Sequence, residues 1–204
     1  MSFGVTESIA KGETYRFRYR AKNAHGWGDF SDELYLIGAR RTDLPLPVVT
    51  SNEGTDVRIS WQIPTYDGGS PILGYRITIK SLGGLYIEDL EHCDGADQTI
   101  KANLYCIVPM TTLRAEPYGL TLGETIVALI EARNIIGYNW TPSLENTGDA
   151  KLRTEPLAPL VLVSRVHEET TDTTITVSYP NFYTDEETGG SPILSLNLWY
   201  DQGV

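Results

Sequence analysis

The sequence predicts an all-β protein built of antiparallel β-sandwiches, and two observations lead to this fold class. Apolar and polar residues alternate with a period of two in several short segments, as expected of strands with one buried and one solvated face. Clusters of Gly, Pro and Asp separate these segments at short intervals. Many short strands with this spacing favour two antiparallel sheets that pack face to face.

Four segments carry the alternation. In the first, Tyr15–Lys22, a basic residue occupies every second position. The other three are defined by their apolar members, which are Val57, Ile59 and Trp61, then Tyr75, Ile77 and Ile79, then Ile175, Val177 and Tyr179. Residues 110–120 depart from this alternation, and their sequence is compatible with a helical turn.

Two stretches of the chain occur twice. Residues 12–26 recur in altered form at 123–137, where Gly-Glu-Thr at the start and Ala-x-Asn-x-x-Gly at the end are common to both. The segment Gly-Gly-Ser-Pro-Ile-Leu is identical at 68–73 and 189–194. Similarity of this length at corresponding places predicts tandem modules.

The repeats also predict where the modules begin and end. A junction marked by Arg, Thr and Pro occurs at 41–45 and again at 153–156. Between these junctions lies one complete module, 44–156. Residues 1–43 then hold the late strands of a preceding module, and residues 157–204 the early strands of a following one. Neither half can close a core alone, because each lacks the opposing strands.

The repeated unit resembles the fibronectin type III module. Proline opens each unit, an aromatic residue (Trp61 or Tyr179) ends the second strand, and Gly-Gly-Ser-Pro-Ile precedes the next strand. A late strand reads Tyr-x-Phe-x-Tyr-x-Ala-x-Asn and is followed by Gly-Trp-Gly-x-Phe-Ser, and the Ala-x-Asn-x-x-Gly signature is the specific part of the match. The resemblance covers essentially the whole chain and implies immunoglobulin-like sandwiches. In the complete module Ile126 replaces the tyrosine of the family's corner hydrogen bond.

Cys93 and Cys106 are the two cysteines of the chain, and the turn signal Asp94-Gly95 lies between them. A disulfide would close a hairpin-sized loop and stabilise the fold by about 3 kcal/mol through loop entropy. Two unconnected buried thiols are the alternative, whereas zinc would find an incomplete ligand set in two thiolates and His92. We favour the disulfide, which indicates an oxidising compartment.

The charge of the chain limits its partners. Its net charge of −11 and pI near 4.7 disfavour binding to phosphate backbones or anionic lipid surfaces. No apolar run is long enough to span a bilayer, and residues 1–8 lack the pattern of a signal peptide. We therefore expect neither a nucleic-acid partner nor membrane insertion.

The sequence contains no catalytic constellation, and we expect no enzyme activity, cofactor or metal site. The histidines lie at unrelated places in the module plan, without a nucleophile in a recognisable setting. Two acidic clusters lack the regular spacing of a calcium loop. These residues are His25, His92 and His167, the cluster at 185–187, and the pair Asp94 and Asp97.

Asn139-Trp140-Thr141 is a glycosylation sequon. Its place just after the Ala-x-Asn-x-x-Gly strand end predicts that Asn139 projects into solvent and carries an N-linked glycan. The cysteine-bearing segment resembles the version of the family found in long arrays on protist cell surfaces. Together with the predicted disulfide, this resemblance implies an extracellular or cell-surface location.

A basic stripe formed by Arg16, Arg18 and Arg20 occupies the polar face of the first strand. If residues 157–204 pack with residues 1–43 of a neighbouring copy or of a continuing chain, Trp199 falls on the same outer face, where an indole can stack on guanidinium groups. The positions of Arg16 and Arg18 are taken in the complete module by other residues, Val127 and Leu129, which suggests cover by another module. A solvated and uneven surface is the alternative in both cases.

Together these features favour a non-enzymatic structural repeat of an extracellular or cell-surface filament built from tandem fibronectin type III-like modules. Its partners would be neighbouring copies of itself, head to tail, or adjacent modules of a longer chain, with glycans possible. The alternative function is that of a ligand-binding segment in an adhesin or receptor ectodomain. A third is an accessory module of an extracellular enzyme.

Overall fold

The computed structural model of the protein describes residues 9–146 and 149–201. The strands of this part are β1 (Thr14–Phe17), β2 (Lys22–Asn23), β3 (Gly26–Trp27), β4 (Leu34–Ile37), β5 (Val49–Glu53), β6 (Asp56–Ser60), β7 (Gly74–Lys80), β8 (Tyr86–Glu88), β9 (Tyr105–Pro109), β10 (Ala128–Asn134), β11 (Gly137–Tyr138), β12 (Ser164–Arg165) and β13 (Val177–Ser178). Its helices are α1 (Gln98–Asn103), α2 (Met110–Arg114) and α3 (Asp185–Thr188). The predicted all-β class with antiparallel sheets is confirmed. The prediction for residues 1–8 lies outside the described residues, as do the outermost parts of both predicted half-modules.

The complete module is a sandwich of two antiparallel sheets. One sheet has the strand order β5-β6-β9 and the other has the order β11-β10-β7-β8. The register places Ile59 opposite Cys106 in the first sheet and Ile77 opposite Ile130 in the second. Since alternate residues of a strand face the same side, each sheet presents a continuous apolar face to the other. The largest fully buried apolar side chains of this core are Val57, Ile59, Ile77, Ile79, Val108, Leu113, Ile126, Ile130 and Leu152.

The outer face of β7 and β10 holds a charged pair across the two strands. Arg76 lies opposite Glu131 in the register, and its guanidinium group donates a hydrogen bond from Nε to Glu131 Oε2 at 2.6 Å. The Arg76 guanidinium also lies 4.6 Å from the centre of the Tyr138 ring. The ion pair and the hydrogen bond compensate the burial of the Glu131 carboxylate.

A disulfide between Cys93 and Cys106 ties the segment after β8 to strand β9 of the opposite sheet. The segment between the two cysteines is not a simple hairpin, because it contains α1. Asp97 caps this helix by accepting hydrogen bonds from Thr99 N–H and Ile100 N–H. This cap stabilises the start of α1, because the Asp97 carboxylate satisfies N–H groups that otherwise have no partner. The helical turn expected within 110–120 is present as α2.

Removing the disulfide is expected to lower the free energy of unfolding of the complete module by about 3 kcal/mol, because the unfolded chain gains loop entropy. The double variant Cys93→Ala/Cys106→Ala is compared with the parent by urea denaturation. Fluorescence of Trp61 reports on this module, because Trp61 is buried whereas the other tryptophans are more than half exposed. Reduction of the parent should produce the same loss, and thiols that are free to alkylate before reduction would contradict the prediction.

The two half-modules form only short ladders. In residues 9–43, β1 pairs with β4 and β2 pairs with β3, whereas in residues 157–201 β12 pairs with β13. The predicted strands are therefore interrupted: the alternation over 15–22 yields two separate strands, and that over 175–179 yields two paired residues. Without an opposing sheet, no apolar face is buried to hold longer strands in register. Among the described residues, no helix has the length and apolar content needed to cross a bilayer.

Candidate module interface

The predicted basic stripe packs on aromatic side chains of its own half-module. The Arg18 guanidinium lies 4.2 Å from the centre of the Phe30 ring, and that of Arg20 lies between Trp27 and Phe30, at 4.6 and 4.7 Å. Arg16 forms an ion pair with Glu33 at 3.3 Å. The guanidinium groups of residues 18 and 20 thus pack on the rings of residues 27 and 30, an arrangement that favours stacked cation–π contacts.

The side chains of the stripe therefore already have aromatic and acidic partners within their own half-module. Trp199, which was expected to stack on it, is 86% exposed. The structure holds one chain, and a contact between Trp199 and the stripe of a neighbouring module stays a prediction. Val127 and Leu129 are half-buried on the outer face of their sheet, so the suggested cover by another module also stays a prediction.

Asn139 lies at the junction between the first half-module and the complete module, and it is buried. Its Nδ2 donates hydrogen bonds to Thr42 O, Thr42 Oγ1 and Asp43 O at 2.8–2.9 Å. Its Oδ1 accepts from Ala132 N–H at 2.7 Å. The structure thus contradicts the solvent-exposed placement on which the predicted glycan depended. The physical reason is that Nδ2, the atom that would carry the sugar, is hydrogen-bonded to Thr42 and Asp43. These two residues belong to the linker between the first half-module and the complete module.

Asn139 is the first member of a polar ladder along the edge of β10, made with Ser143 and Asn146. Ser143 Oγ accepts from Ile130 N–H at 3.1 Å, and Asn146 Oδ1 accepts from Ala128 N–H at 2.6 Å. Side-chain oxygens therefore take the place of backbone carbonyls at alternate residues of β10. Asn146 also donates to Thr50 Oγ1 at 3.0 Å, which connects the two sheets.

The same device occurs in the first half-module. Ser31 Oγ accepts from Tyr19 N–H at 3.1 Å, and Ser31 N–H donates to Tyr19 O at 2.8 Å. Ser143 makes the equivalent pair of bonds with Ile130. The alternation of apolar residues does not predict this ladder, although a signal exists in the Ser that follows the aromatic segment of both repeats.

Replacing Ser143 with Ala is expected to lower the free energy of unfolding by about 1–2 kcal/mol, because the buried Ile130 N–H loses its acceptor. The Trp61 fluorescence assay described above measures the change. Ser51→Ala is the matched control, since Ser51 is exposed on β5, and its stability should stay within about 0.5 kcal/mol of the parent. Equal losses in the two variants would contradict a role for the ladder.

A cationic cluster reinforces the same junction. Lys11 Nζ lies 2.9 Å from Asp67 Oδ1 and 4.8 Å from the centre of the Tyr66 ring, and the Arg40 guanidinium lies 4.7 Å from that ring. The hydrogen bond between Lys11 and Asp67 raises the pKa of Lys11 and lowers the pKa of Asp67. The Arg41 guanidinium stacks on Trp140 at 4.1 Å and donates to Tyr138 O.

The other polar candidates serve local structure. Asp97 and Glu187 accept hydrogen bonds from N–H groups at the starts of α1 and α3. His92 Nδ1 lies 3.0 Å from the buried carboxylate of Asp89. Burial raises the pKa of Tyr118 to about 12, and the charge of Asp89 adds to this effect. Within residues 9–146 and 149–201, no three His, Cys, Asp or Glu side chains come together as ligands for a metal ion.

The 157–201 half-module exposes the side chains that a complete sandwich would bury. Leu160, Leu162 and Leu194 are each more than 85% exposed. Shallow apolar clefts lie on this half, with Val161 and Phe182 among their lining residues. In the described part of the chain, these side chains have no sheet opposite them.

Known proteins resemble the chain in sequence over part of its length. M-protein of striated muscle from Gallus gallus is 36% identical over 78 residues, which is 36% of this chain and 5% of that protein. Myomesin-2 from Homo sapiens is 34% identical over 78 residues, also 36% and 5%. Fibronectin type-III domain-containing protein 3A from Mus musculus is 26% identical over 132 residues, or 64% of this chain and 9% of that protein. The chain thus spans less than a tenth of the length of each of these relatives.

Among solved structures, a multidomain fragment of titin matches 68% of this chain with 41% of its own length, at 19% identity and a TM-score of 0.39. No model of a protein family matches the sequence.

The sequence relatives contradict the predicted extracellular or cell-surface location, because M-protein and myomesin-2 are intracellular proteins of the muscle sarcomere. The predicted location was inferred from the disulfide, and this inference was wrong. The two cysteines lie close together because of the fold, and their proximity does not by itself indicate an oxidising compartment. The alternative of an adhesin or receptor ectodomain depended on the same location.

Proposed function

The chain consists of tandem fibronectin type III-like modules, and we propose that it is a non-enzymatic structural segment of a filament protein. The observation that carries this proposal is the set of exposed apolar side chains of the 157–201 half-module, beside a complete module that has a buried apolar core. Large exposed apolar patches mark surfaces that other chains or segments cover. The geometry of the sandwich, rather than a reactive site, is then what the chain contributes.

The complete module serves as the template for the covering strands. In it, β6 pairs with both β5 and β9, and β7 pairs with β10. The 157–201 half has counterparts of β5 and β6 in β12 and β13, and the 9–43 half has counterparts of the late strands. Neither half, in its described residues, has a counterpart of β9. Adjacent modules of a longer chain can supply that strand, and we propose them as the partner that completes each half.

The test extends the chain after Asp201 with a second copy of residues 81–156, which places the late strands where the template requires them. We expect amide exchange at Val166, whose N–H donates to Thr176 O, to slow at least ~100-fold as the sandwich closes. A control extension of equal length carries Ile130→Asp in the added copy, which places a carboxylate in the new core.

Equal exchange rates in the extended and control chains would overturn the proposal. Analytical ultracentrifugation of the original chain distinguishes the second source of strands. Association that rises with concentration and protects Val166 would assign the partner role to neighbouring copies, head to tail. Such an assembly is open and grows as a filament.

A further inference from the structure

At the first junction, the Gly-Gly-Ser-Pro-Ile loop lies against the linker that enters the complete module. Arg40 N–H donates a hydrogen bond to Gly68 O at 2.7 Å, and Asp43 N–H donates to Tyr66 O at 3.0 Å. The linker therefore runs beside the loop and donates two backbone hydrogen bonds to its carbonyl groups. Contacts of this kind do not depend on side-chain identity.

The second junction has the same pair of bonds. Thr154 N–H donates to Gly189 O and Leu157 N–H donates to Glu187 O, each at 2.9 Å. In both junctions the two donors are three residues apart and the two acceptors are two residues apart. Thr154 is therefore the structural equivalent of Arg40. The sequence match had instead aligned Thr154 with Thr42. The segment that follows β11 is longer than its counterpart after β3, which accounts for the offset.

The first glycine of the loop leaves no room for a side chain at either junction. A Cβ atom on Gly68 would lie 2.1 Å from Arg40 O, and one on Gly189 would lie 2.1 Å from Thr154 O. Both glycines have positive φ, +79° and +66°. The close approach of backbone to backbone and the left-handed conformation both require glycine here.

The second glycine contacts the turn of the preceding module. A Cβ atom on Gly69 would lie 3.3 Å from Lys11 Cγ, and one on Gly190 would lie 3.2 Å from Leu122 Cδ1. Lys11 and Leu122 occupy equivalent positions, each followed by a glycine with positive φ. Each loop therefore touches both its own linker and the module before it.

We propose that the Gly-Gly-Ser-Pro-Ile loop is a rigid joint that fixes one and the same orientation between consecutive modules. The backbone contacts repeat at both junctions, whereas the side chains around them differ. The first junction has the ion pair of Lys11 with Asp67, and the second has an aliphatic contact through Leu122. The backbone and the glycines set the orientation, and the ion pair is dispensable. A chain of such modules advances with a constant step, and its partner at each joint is a further module of the same type.

Pulsed dipolar spectroscopy on the full chain tests the joint. Spin labels are attached at Asp32→Cys, in the first half-module, and Thr111→Cys, in the complete module, while the native disulfide stays oxidised. We expect a narrow distance distribution in the parent and a broad one in Gly68→Ala, whose Cβ forces the linker away. Amide exchange at Arg40 should accelerate at least ~10-fold in that variant.

Two further variants separate the joint from general effects. Gly54→Ala changes a glycine that also has positive φ, +61°, but has no atom within 4 Å of a Cβ, so the distribution should stay narrow. Lys11→Leu installs the side chain of the second junction in the first and should also keep the distribution narrow. A broad distribution in the parent, in Gly54→Ala or in Lys11→Leu, or a narrow one in Gly68→Ala, would overturn the proposal. This test reads out the junction between residues 9–43 and the complete module, whereas the extension experiment reads out Val166 in the 157–201 half-module, so failure of the joint and failure of the proposed function are distinguishable.

Discussion

Replacing Asn139 with Ala is expected to lower the free energy of unfolding of the complete module by about 4 kcal/mol. The side chain joins β10 to the linker in a buried position: Oδ1 accepts one hydrogen bond, and the two N–H donors of Nδ2 are shared among three acceptors. Each buried polar group left without a partner costs about 1–3 kcal/mol, and some are re-solvated when the side chain is removed. Urea denaturation followed by Trp61 fluorescence measures the loss.

Asn103→Ala is the control for this variant, because Asn103 is exposed at the end of α1. Its stability should change by less than about 0.5 kcal/mol. A comparable loss in the two variants, or a loss below about 1 kcal/mol for Asn139→Ala, would contradict the assigned network.

The isosteric variant Asn139→Asp adds a dependence on pH. The carboxylate would keep the bond from Ala132 N–H but face Thr42 O and Asp43 O, and burial beside these carbonyl groups raises its pKa. An acid whose pKa is raised on folding destabilises the protein as pH rises through the folded value. We therefore expect Asn139→Asp to be less stable at pH 7 than at pH 5, relative to the parent. A flat difference between these pH values would place the side chain in solvent.

Replacing Leu113 with Ala is also expected to cost about 4 kcal/mol of unfolding free energy. Leu113 lies in α2, is fully buried, and is part of the core between the two sheets. Loss of a buried leucine removes transfer free energy and leaves a cavity, which together cost about 2–5 kcal/mol. The backbone at Leu113 is held by a hydrogen bond that its carbonyl accepts from Leu120 N–H at 2.9 Å, which limits collapse of the cavity.

Thr111→Ala is the control on the same helix, since Thr111 is exposed. Its stability should lie within about 0.5 kcal/mol of the parent. If both variants unfold at the urea concentration of the parent, α2 does not contribute to the core as the structure places it.

The period of the apolar residues predicted the sandwich correctly because burial in a sheet depends on one local property. Residues two apart face the same side, and Val57, Ile59 and Ile77 are buried as their alternation requires. The two repeated stretches were also recognised from the sequence, since equivalent structural positions use the same residue types. Composition did not predict the strand breaks in the half-modules, because these depend on strands that a local pattern does not contain.

Asn139 illustrates that a local sequence pattern does not predict long-range contacts. Its sequon and its place after a strand end predicted exposure, yet the linker at Thr42 and Asp43, almost a hundred residues earlier, covers it. The basic stripe was predicted from the sequence, whereas its contacts with Trp27 and Phe30 are seen only in the folded structure. In both cases the missing information is a long-range contact.

The sequence by itself determined the all-β class and the tandem arrangement, because these follow from periodicity and repetition along the chain. The tertiary structure alone decided that Gly68 and Gly189 each pack on a linker, that Asn139, Ser143 and Asn146 replace part of a strand, and that α1 lies between the two cysteines. The physical reason is that turn residues, polar side chains and glycines each satisfy several local conformations. Only the neighbours brought together by folding select one of them.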